Sequence, residues 1–348
     1  MSPRVHTLPN GARVVIEPMA GLKTFALAVT ASGGARYEAD DQGGYAHLLE
    51  HMVFKGAGER GAKALAEDLE ARGGQINAAT GHERTTFQVR AMAEALPLGL
   101  EIVSDLVLRP WLDPAELARE KDVVVQEIAE AFDTPDDVVF ELAQDKAFPG
   151  QPLGRPILGT PESVASATPE RLDAFRRAIY APERLVVSIA GAVDEAEALA
   201  LVQSRFGDAP PSGDRPDPAP ARFVGGQATL ARKLEQANLV WQLPAVPVTD
   251  PDYFALRLFA EILGGGMASR LFQKAREERG LAYAVDAWSD AYLDTGLLGV
   301  FAGCAANQAA PLARLVAEEI TELARAPSRA ELDRGKAQLK ASLFLALE

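Results

Sequence analysis

Within GGYAHLLEHMVFKG, residues 43–56, the side chains of His47, Glu50 and His51 fall inside little more than one helical turn. Each residue of an α-helix turns the side chain by about 100°, so positions i, i+3 and i+4 leave from one narrow face. Two imidazoles and a carboxylate on one face can converge on a single ion. The other reading is a helix that happens to carry two satisfied histidines and a solvated glutamate. Two features weigh against it. The chain has only four histidines, and two of them stand within five residues around a glutamate. Leu48, Leu49, Met52, Val53 and Phe54 are apolar, so this helix is expected to be buried. Burying two imidazoles and a carboxylate without partners is costly. A metal site is the expectation.

The spacing also assigns roles. H-x-x-E-H inverts the H-E-x-x-H arrangement and is the inverzincin signature. A hydrolytic zinc site uses three protein ligands and leaves one position open. Glu50, next to His51, is placed to act on a water as general base and afterwards as proton donor. The local stretch therefore supplies two ligands and a base, and lacks a third ligand. His6 precedes the first expected strand and His82 sits in a turn-like TGHER, so neither is a good candidate. A downstream carboxylate is better. Glu120 and Glu127 stand at i and i+7 in REKDVVVQEIAEAF and can face one side of a helix. Taken alone, such a pair is usually a solvated stripe.

Bulk properties limit what such a site can serve. At 348 residues the chain is long enough for two domains. A net charge of −14 disfavours nucleic acid or an anionic membrane surface as partner. One cysteine, Cys304 in the apolar run GVFAGCAA, excludes an internal disulfide and a cysteine-cluster zinc site, and reads as a buried, inert thiol. No apolar run approaches the ~18 residues of a membrane span, and no secretory leader is visible in MSPRVHTLPNG. These point to a cytoplasmic setting, with an organelle matrix as the alternative.

The elements that must position the site follow from pattern. TLPNGARVVIEPM reads as strand, Asn-Gly turn, strand, and KTFALAVTASGG as a further strand. GGQINAATGHERTTFQVRAM alternates with period two, predicting two strands. Helices are predicted over 62–72, 93–108 and 114–132, the last started by Pro114 after the capping Asp113. RLVVSIAGAV is a buried strand and DEAEALALVQSRFG a helix closed by Gly207. Proline, glycine and aspartate then dominate, which marks 209–226 as a linker between a domain at 1–208 and a second at 227–348. The second half restarts with the strand ANLVWQLPAV, continues with helices in DYFALRLFAEILGGG and SRLFQKAREERG, and has a strand pair in LAYAVDAWSDAYLDTGLLGVFAG. Both halves read as α+β, a parallel that suggests two homologous domains. The amphipathic helix ending in FLALE has no cap and no following element, so the second domain is expected to be truncated.

TLPNG, HLLEHMVFKG, GGQINAATGHERTTF, EKDVVVQEI, DTPDD and PLGRPILGT occur in that order. Together they resemble the pitrilysin family, in the branch of the mitochondrial processing peptidases and their bacterial relatives, over essentially the whole chain. The resemblance implies two domains, each a mainly antiparallel sheet packed with helices. It places the third zinc ligand 76 residues after the second histidine, which is Glu127. Glu120 matches an auxiliary glutamate that supports the site from behind its ligands. Asn77, Ala78 and Thr80 match a strand that pairs with an extended peptide, although the residues alone read as an ordinary hairpin.

In the second half, LGGGMASRLFQKAREERGLAYAV holds three consecutive glycines, Gly264 to Gly266, where a helix end needs one. No phosphate-loop pattern accompanies them. The family carries an arginine and a tyrosine seven residues apart here, which are Arg276 and Tyr283. The resemblance implies that they grip substrate and stabilise the oxyanion. Without it, Arg276 is one exposed charge among several and Tyr283 a core aromatic. The second half holds no histidine, so one Zn2+ per chain is expected. The family forms homodimers or heterodimers enclosing a chamber, which implies that Arg276 and Tyr283 act across the dimer.

The expected activity is zinc-dependent endopeptidase cleavage of short or unfolded peptides, with Glu50 as general base. The alternative is a non-catalytic partner subunit of a heterodimeric processing peptidase, and a weaker third reading is a metal-binding structural domain. Two departures stand out: KGAGERG replaces the commoner Lys-Gly-Thr, and about 70 C-terminal residues are short of a typical two-domain size.

Overall fold

A computed structural model describes residues 3–211 and 217–346. Residues 212–216 of the expected linker and the last two residues of FLALE lie outside the described residues. The chain divides into two compact units, one of residues 1–130 and 155–218 and the other of residues 131–154 and 219–348. Both mix sheet and helix, and the strands pair mainly antiparallel.

The first unit is built on a six-stranded sheet. Its strands are β1 (Arg4–Thr7), β2 (Arg13–Pro18), β3 (Thr24–Ala31), β6 (Gln75–Thr80), β7 (Thr85–Met92) and β8 (Leu185–Gly191), in the order β1-β2-β8-β3-β7-β6. Only β2 and β8 run parallel among these neighbours. Period-two alternation explains the strands. Phe25, Leu27, Val29 and Ala31 of β3 are buried, as are Thr85, Phe87, Val89 and Ala91 of β7, because successive side chains point to opposite faces. The short pair β4 (Gly56–Ala57) and β5 (Arg60–Gly61) forms a separate hairpin.

Among the described residues, seven α-helices belong wholly or mainly to this unit: α1 (Tyr45–Val53), α2 (Ala62–Glu70), α3 (Leu96–Leu108), α4 (Pro114–Asp133), α6 (Pro161–Ala165), α7 (Pro169–Ile179) and α8 (Glu195–Phe206). Helix α3 lies close on the sheet. A Cβ added at Gly99 would stand 3.2 Å from both Phe25 and Val89, so glycine permits that approach. Helix α1 buries Tyr45, Ala46, Leu48, Leu49, Met52 and Val53, leaving its histidines and Glu50 on the remaining face.

The second unit has a three-stranded antiparallel sheet, β10 (Ala284–Ala291), β11 (Gly296–Cys304) and β9 (Ala237–Ala245), in that order. Its helices are α5 (Pro135–Ala147), α9 (Tyr253–Gly264), α10 (Ala309–Arg325) and α11 (Arg329–Leu345). The core gathers Ile262, Leu263, Leu271, Val300, Leu312, Leu315 and Val316. Helix α5, which starts inside DTPDD, belongs to this unit although it lies in the first half of the sequence. SRLFQKAREERG winds as a π-helix over Phe272–Glu278. Among the described residues no helix is long and apolar enough to cross a membrane.

Candidate metal centre

Helix α1 starts where two glycine-rich turns meet. Gly44 precedes it at φ 85°, and a Cβ there would stand 2.5 Å from the carbonyl oxygen of Leu158. Gly159, at φ 74°, would likewise carry a Cβ 2.4 Å from the carbonyl oxygen of Gly43. The two backbones approach this closely only without side chains, in a left-handed conformation that favours glycine. Gly44 cannot cap the helix with a side chain, and Glu38 does so instead. Its Oε1 accepts from the Ala46 N–H at 2.7 Å and its Oε2 from the Gly44 N–H at 3.1 Å. Glu38 is 4% exposed. Burial pushes its carboxyl up to about 8, against the lowering pull of those N–H groups and of Arg155. Tyr45 adds a hydroxyl contact with Ser166 at 3.1 Å and an edge-on ring contact with Phe175.

From that base, α1 presents the His47 and His51 rings with centroids 4.6 Å apart. Helix α4 brings Glu127 to them: its Oε2 lies 3.9 Å from His47 Nε2 and 3.7 Å from His51 Nε2. These separations are too long for hydrogen bonds. They approach the ~3.4 Å between neighbouring ligand atoms of a tetrahedral ion bound at about 2.0–2.1 Å. One donor atom from each of the three residues lies within 4.8 Å of the others. Glu127 Oε2 is buried and, among the described residues, has no hydrogen-bond partner, although it faces both Nε2 atoms. A buried, unpartnered carboxylate oxygen is expensive, and a cation among these three atoms would satisfy it. Burial, then the neighbouring His51, push His47 below the ordinary imidazole value against the pull of Glu127. The neutral ring is the form that ligates metal. The residues fit zinc.

Glu120 stands one face of α4 back from the ligands and is 5% exposed. Its Oε2 lies 3.0 Å from His51 Nδ1 and its Oε1 is 2.8 Å from Lys55 Nζ. A carboxylate on the far nitrogen fixes the ring orientation and leaves Nε2 to the ion. Glu50 extends from the same helix face, and its Oε2 accepts the Thr80 hydroxyl proton at 2.5 Å. Thr80 ends β6, the terminal strand of the sheet, so among the described residues no strand lies beside its outer edge. Along β6, Ile76, Ala78 and Thr80 turn inward, and Asn77 and Ala79 are exposed.

In the second unit, Arg276 leaves the π-helix with its guanidinium 5.2 Å from the Tyr283 ring centroid and 4.7 Å from that of Phe272. Tyr283 is 75% exposed, not the core aromatic that its apolar surroundings in sequence suggest. Both line a cavity of about 370 Å³ with Gln236, Gly303 and Gln308. Lys274 of the π-helix pairs with Glu319 of α10, and Arg270, just before the π-helix, pairs with Glu331 of α11. Close approach explains part of the glycine run: a Cβ at Gly264 would stand 2.5 Å from the Ala287 nitrogen, and one at Gly265 2.4 Å from Glu261 Oε2.

The first unit thus brings together His47, His51, Glu127, Glu120, Glu50 and Thr80, and the second brings together Arg276 and Tyr283. Sequence reasoning missed Glu38 and Lys55. A helix start at Gly-Gly, with no Ser, Thr, Asp or Asn to cap it, was the available sign that a cap comes from elsewhere.

Residues 13–161 match the family profile described as insulinase, peptidase family M16, and residues 166–339 match that of the peptidase M16 inactive domain. The chain is 35% identical over 345 residues to an uncharacterized zinc protease of Rickettsia bellii, spanning 99% of this chain and 84% of the relative. It is 34% identical over 344 residues to one of Bacillus subtilis, with 99% and 84% spanned. It is 36% identical over 355 residues to one of Mycobacterium tuberculosis, with 100% and 81% spanned. A crystal structure of a protease from Helicobacter pylori matches with a TM-score of 0.93 at 21% identity, covering 99% of this chain and 85% of that one. A crystal structure of a peptidase M16 inactive domain from Pseudomonas fluorescens matches at 0.89 and 22% identity, covering 98% and 84%. At these identities the two structures establish the fold. The candidate ligands all fall within the stretch that matches the insulinase profile.

Proposed function

The chain belongs to peptidase family M16, the pitrilysin family, and from that premise we propose that it is a zinc-dependent endopeptidase acting on short or unfolded peptides. The observation that carries the proposal is the convergence of His47, His51 and the orphaned Glu127 oxygen, with Glu50, next to His51 on α1, outside that converging group and held by Thr80. His47, His51 and Glu127 would hold the ion. When bound, zinc supplies Lewis acidity to a water and to the peptide carbonyl. Glu50 accepts a proton from the attacking water as its oxygen bonds to the carbonyl carbon. Glu50 then returns that proton to the departing amine nitrogen as the C–N bond breaks. Thr80 orients the Glu50 carboxylate for both transfers, and Glu120 holds the His51 ring.

The free edge of β6 supports a peptide-binding role for Asn77, Ala78 and Thr80, since an extended chain can add there as a further strand. In this reading 1–208 is the catalytic domain, apart from residues 131–154, which fold with the second unit, 209–226 a linker and 227–348 the domain that contributes Arg276 and Tyr283. Their stacked guanidinium and phenol suit an oxyanion and a peptide backbone. We assign them to the site of a partner chain in a homodimer or a heterodimer. Mixing Glu50→Gln with Tyr283→Phe chains tests that assignment: recovery of activity over either variant alone is expected, and no recovery defeats it.

The second reading, a non-catalytic partner subunit, draws on the inactive-domain description of the profile matched by residues 166–339. One assay separates the two: zinc content, with chelator-sensitive cleavage of a mixed peptide library and Glu50→Gln as control. A zinc-loaded wild-type chain that cleaves nothing, alone, removes the endopeptidase reading.

A further inference from the structure

Five residues just upstream of the metal helix, Gly34–Glu38, touch both elements that carry the proposed base and its hydroxyl partner. On one side, Glu38 caps α1 through the N–H groups of Gly44 and Ala46. The first N–H groups of a helix have no partner within it, so this carboxylate fixes where α1 begins. On the other side, Arg36, 3% exposed, donates to the Glu83 carboxylate in the turn between β6 and β7. The backbone repeats the attachment: Ala35 N–H donates to the Gly81 carbonyl at 3.1 Å and Arg36 N–H to the His82 carbonyl at 2.8 Å.

Gly34 shows how closely the two segments fit. A Cβ there would stand 2.1 Å from the Gly81 oxygen and 3.0 Å from the Arg84 nitrogen. Its φ of −162° is open to any residue, so contact alone requires glycine. Arg36 and Glu38 are both buried, and a buried charged or polar group is tolerated only where its partners are fixed. The helix end and the hairpin turn are therefore each tied to the same short segment. The Thr80–Glu50 hydrogen bond spans the same two elements.

We propose that Gly34–Glu38 is a clamp that sets the separation of α1 from the β6–β7 hairpin, with Arg36 and Glu38 as positioning residues for Glu50 and Thr80. The role assigned to Glu50 rests on the peptidase reading, whereas the coupling is mechanical and measurable without turnover. A clamp transmits a disturbance from one side to the other, and such coupling is reciprocal. Two anchors that merely stabilise their own elements do not.

Amide hydrogen exchange of the zinc-loaded full chain separates these cases. Glu38→Gln, which exchanges an acceptor for a donor at α1, should speed exchange at Gly81, in the turn, by about fivefold or more. Gly34→Ala, which wedges the turn side, should speed exchange at Gly44 and Ala46 by a similar factor. Val187 and Ile189 in β8 should keep their wild-type rates in both. Gly34→Ala should also lower kcat per bound zinc. Effects confined to each variant's own side overturn the clamp, and so does equal acceleration in β8, which is global destabilisation. If Gly34→Ala does not fold, Arg36→Lys takes its place, keeping the charge and losing the planar fork. A wild-type chain that binds zinc and cleaves nothing sinks the peptidase reading, and the exchange pattern alone then decides the clamp.

Discussion

Thr80 and Glu50, 30 residues apart in sequence, are joined by a 2.5 Å hydrogen bond from the threonine hydroxyl to Glu50 Oε2. The terminal strand of the sheet is thereby bonded to the carboxylate proposed as the general base. Thr80→Val keeps the shape and removes the donor. A hydrogen bond to a charged group contributes about 1.5–3 kcal/mol, so kcat per bound zinc should fall about 10- to 100-fold. Thr80→Ser should recover most of the loss. Steady-state kinetics on one peptide, normalised to zinc, checks both, and a Thr80→Val chain within twofold of wild type would make the bond incidental.

Glu127→Gln should abolish stoichiometric zinc binding while leaving the metal-free chain folded. Among the described residues the buried Oε2 has no hydrogen-bond partner, so the neutral amide relieves an unpaired charge as it removes a candidate ligand. The loss in affinity should exceed the ~10- to 100-fold typical of changes behind the ligands. Wild-type thermal stability should rise with added zinc, because the ion binds only the native state, and Glu127→Gln should lose that rise. Melting curves with and without chelator check it; an unchanged zinc response in the variant would remove Glu127 from the centre.

Part of this candidate site is legible in the sequence, for a physical reason. Helical period puts His47, Glu50 and His51 on one face; two turns of α4 also put Glu120 and Glu127 on one side, but that pair alone reads as a solvated stripe, and only the family resemblance singled it out. The sheet of the first unit is equally plain, since the burial of β3 and β7 follows their alternation. What stays hidden is set by tertiary contact. No local signal says that Glu38 reaches six residues forward to cap α1, or that Lys55 turns back to Glu120. The residues of β6 suggest a strand, but only packing against α1 sends the Thr80 hydroxyl to Glu50. Residues 131–154 precede the proline-rich linker and yet fold with the second unit, which composition cannot reveal. The π winding of 272–278 has no propensity signature either.

Glu120→Gln should weaken zinc about tenfold without removing a ligand. The change leaves a neutral partner on His51 Nδ1 and deprives Lys55 of its counter-charge. A chelator-competition titration reads the affinity directly. Equal affinity in Glu120→Gln and wild type would show that the His51 ring is held by its packing alone.

His82 gives the hairpin turn a pH dependence whose sign can be worked out. Burial, with Arg36 adding its charge, pushes this imidazole down to about 4. An unfolded chain binds the same proton at about pH 6.5. The stabilisation is therefore full above pH 6.5 and is lost progressively as the pH falls from about 6.5 to 4, by up to about 3 kcal/mol. Glu38 runs the other way: held up to about 8, it contributes fully below about pH 4.5 and loses that contribution as the pH rises toward 8. The two slopes oppose each other between about pH 4.5 and 6.5, so the wild-type profile alone hides both. Subtraction isolates the histidine. The stability difference between wild type and His82→Gln, from denaturant titrations at several pH values, should be constant above pH 7 and shift steadily against wild type down to pH 4. A difference independent of pH across that range would mean that the imidazole titrates alike in the folded and unfolded chains.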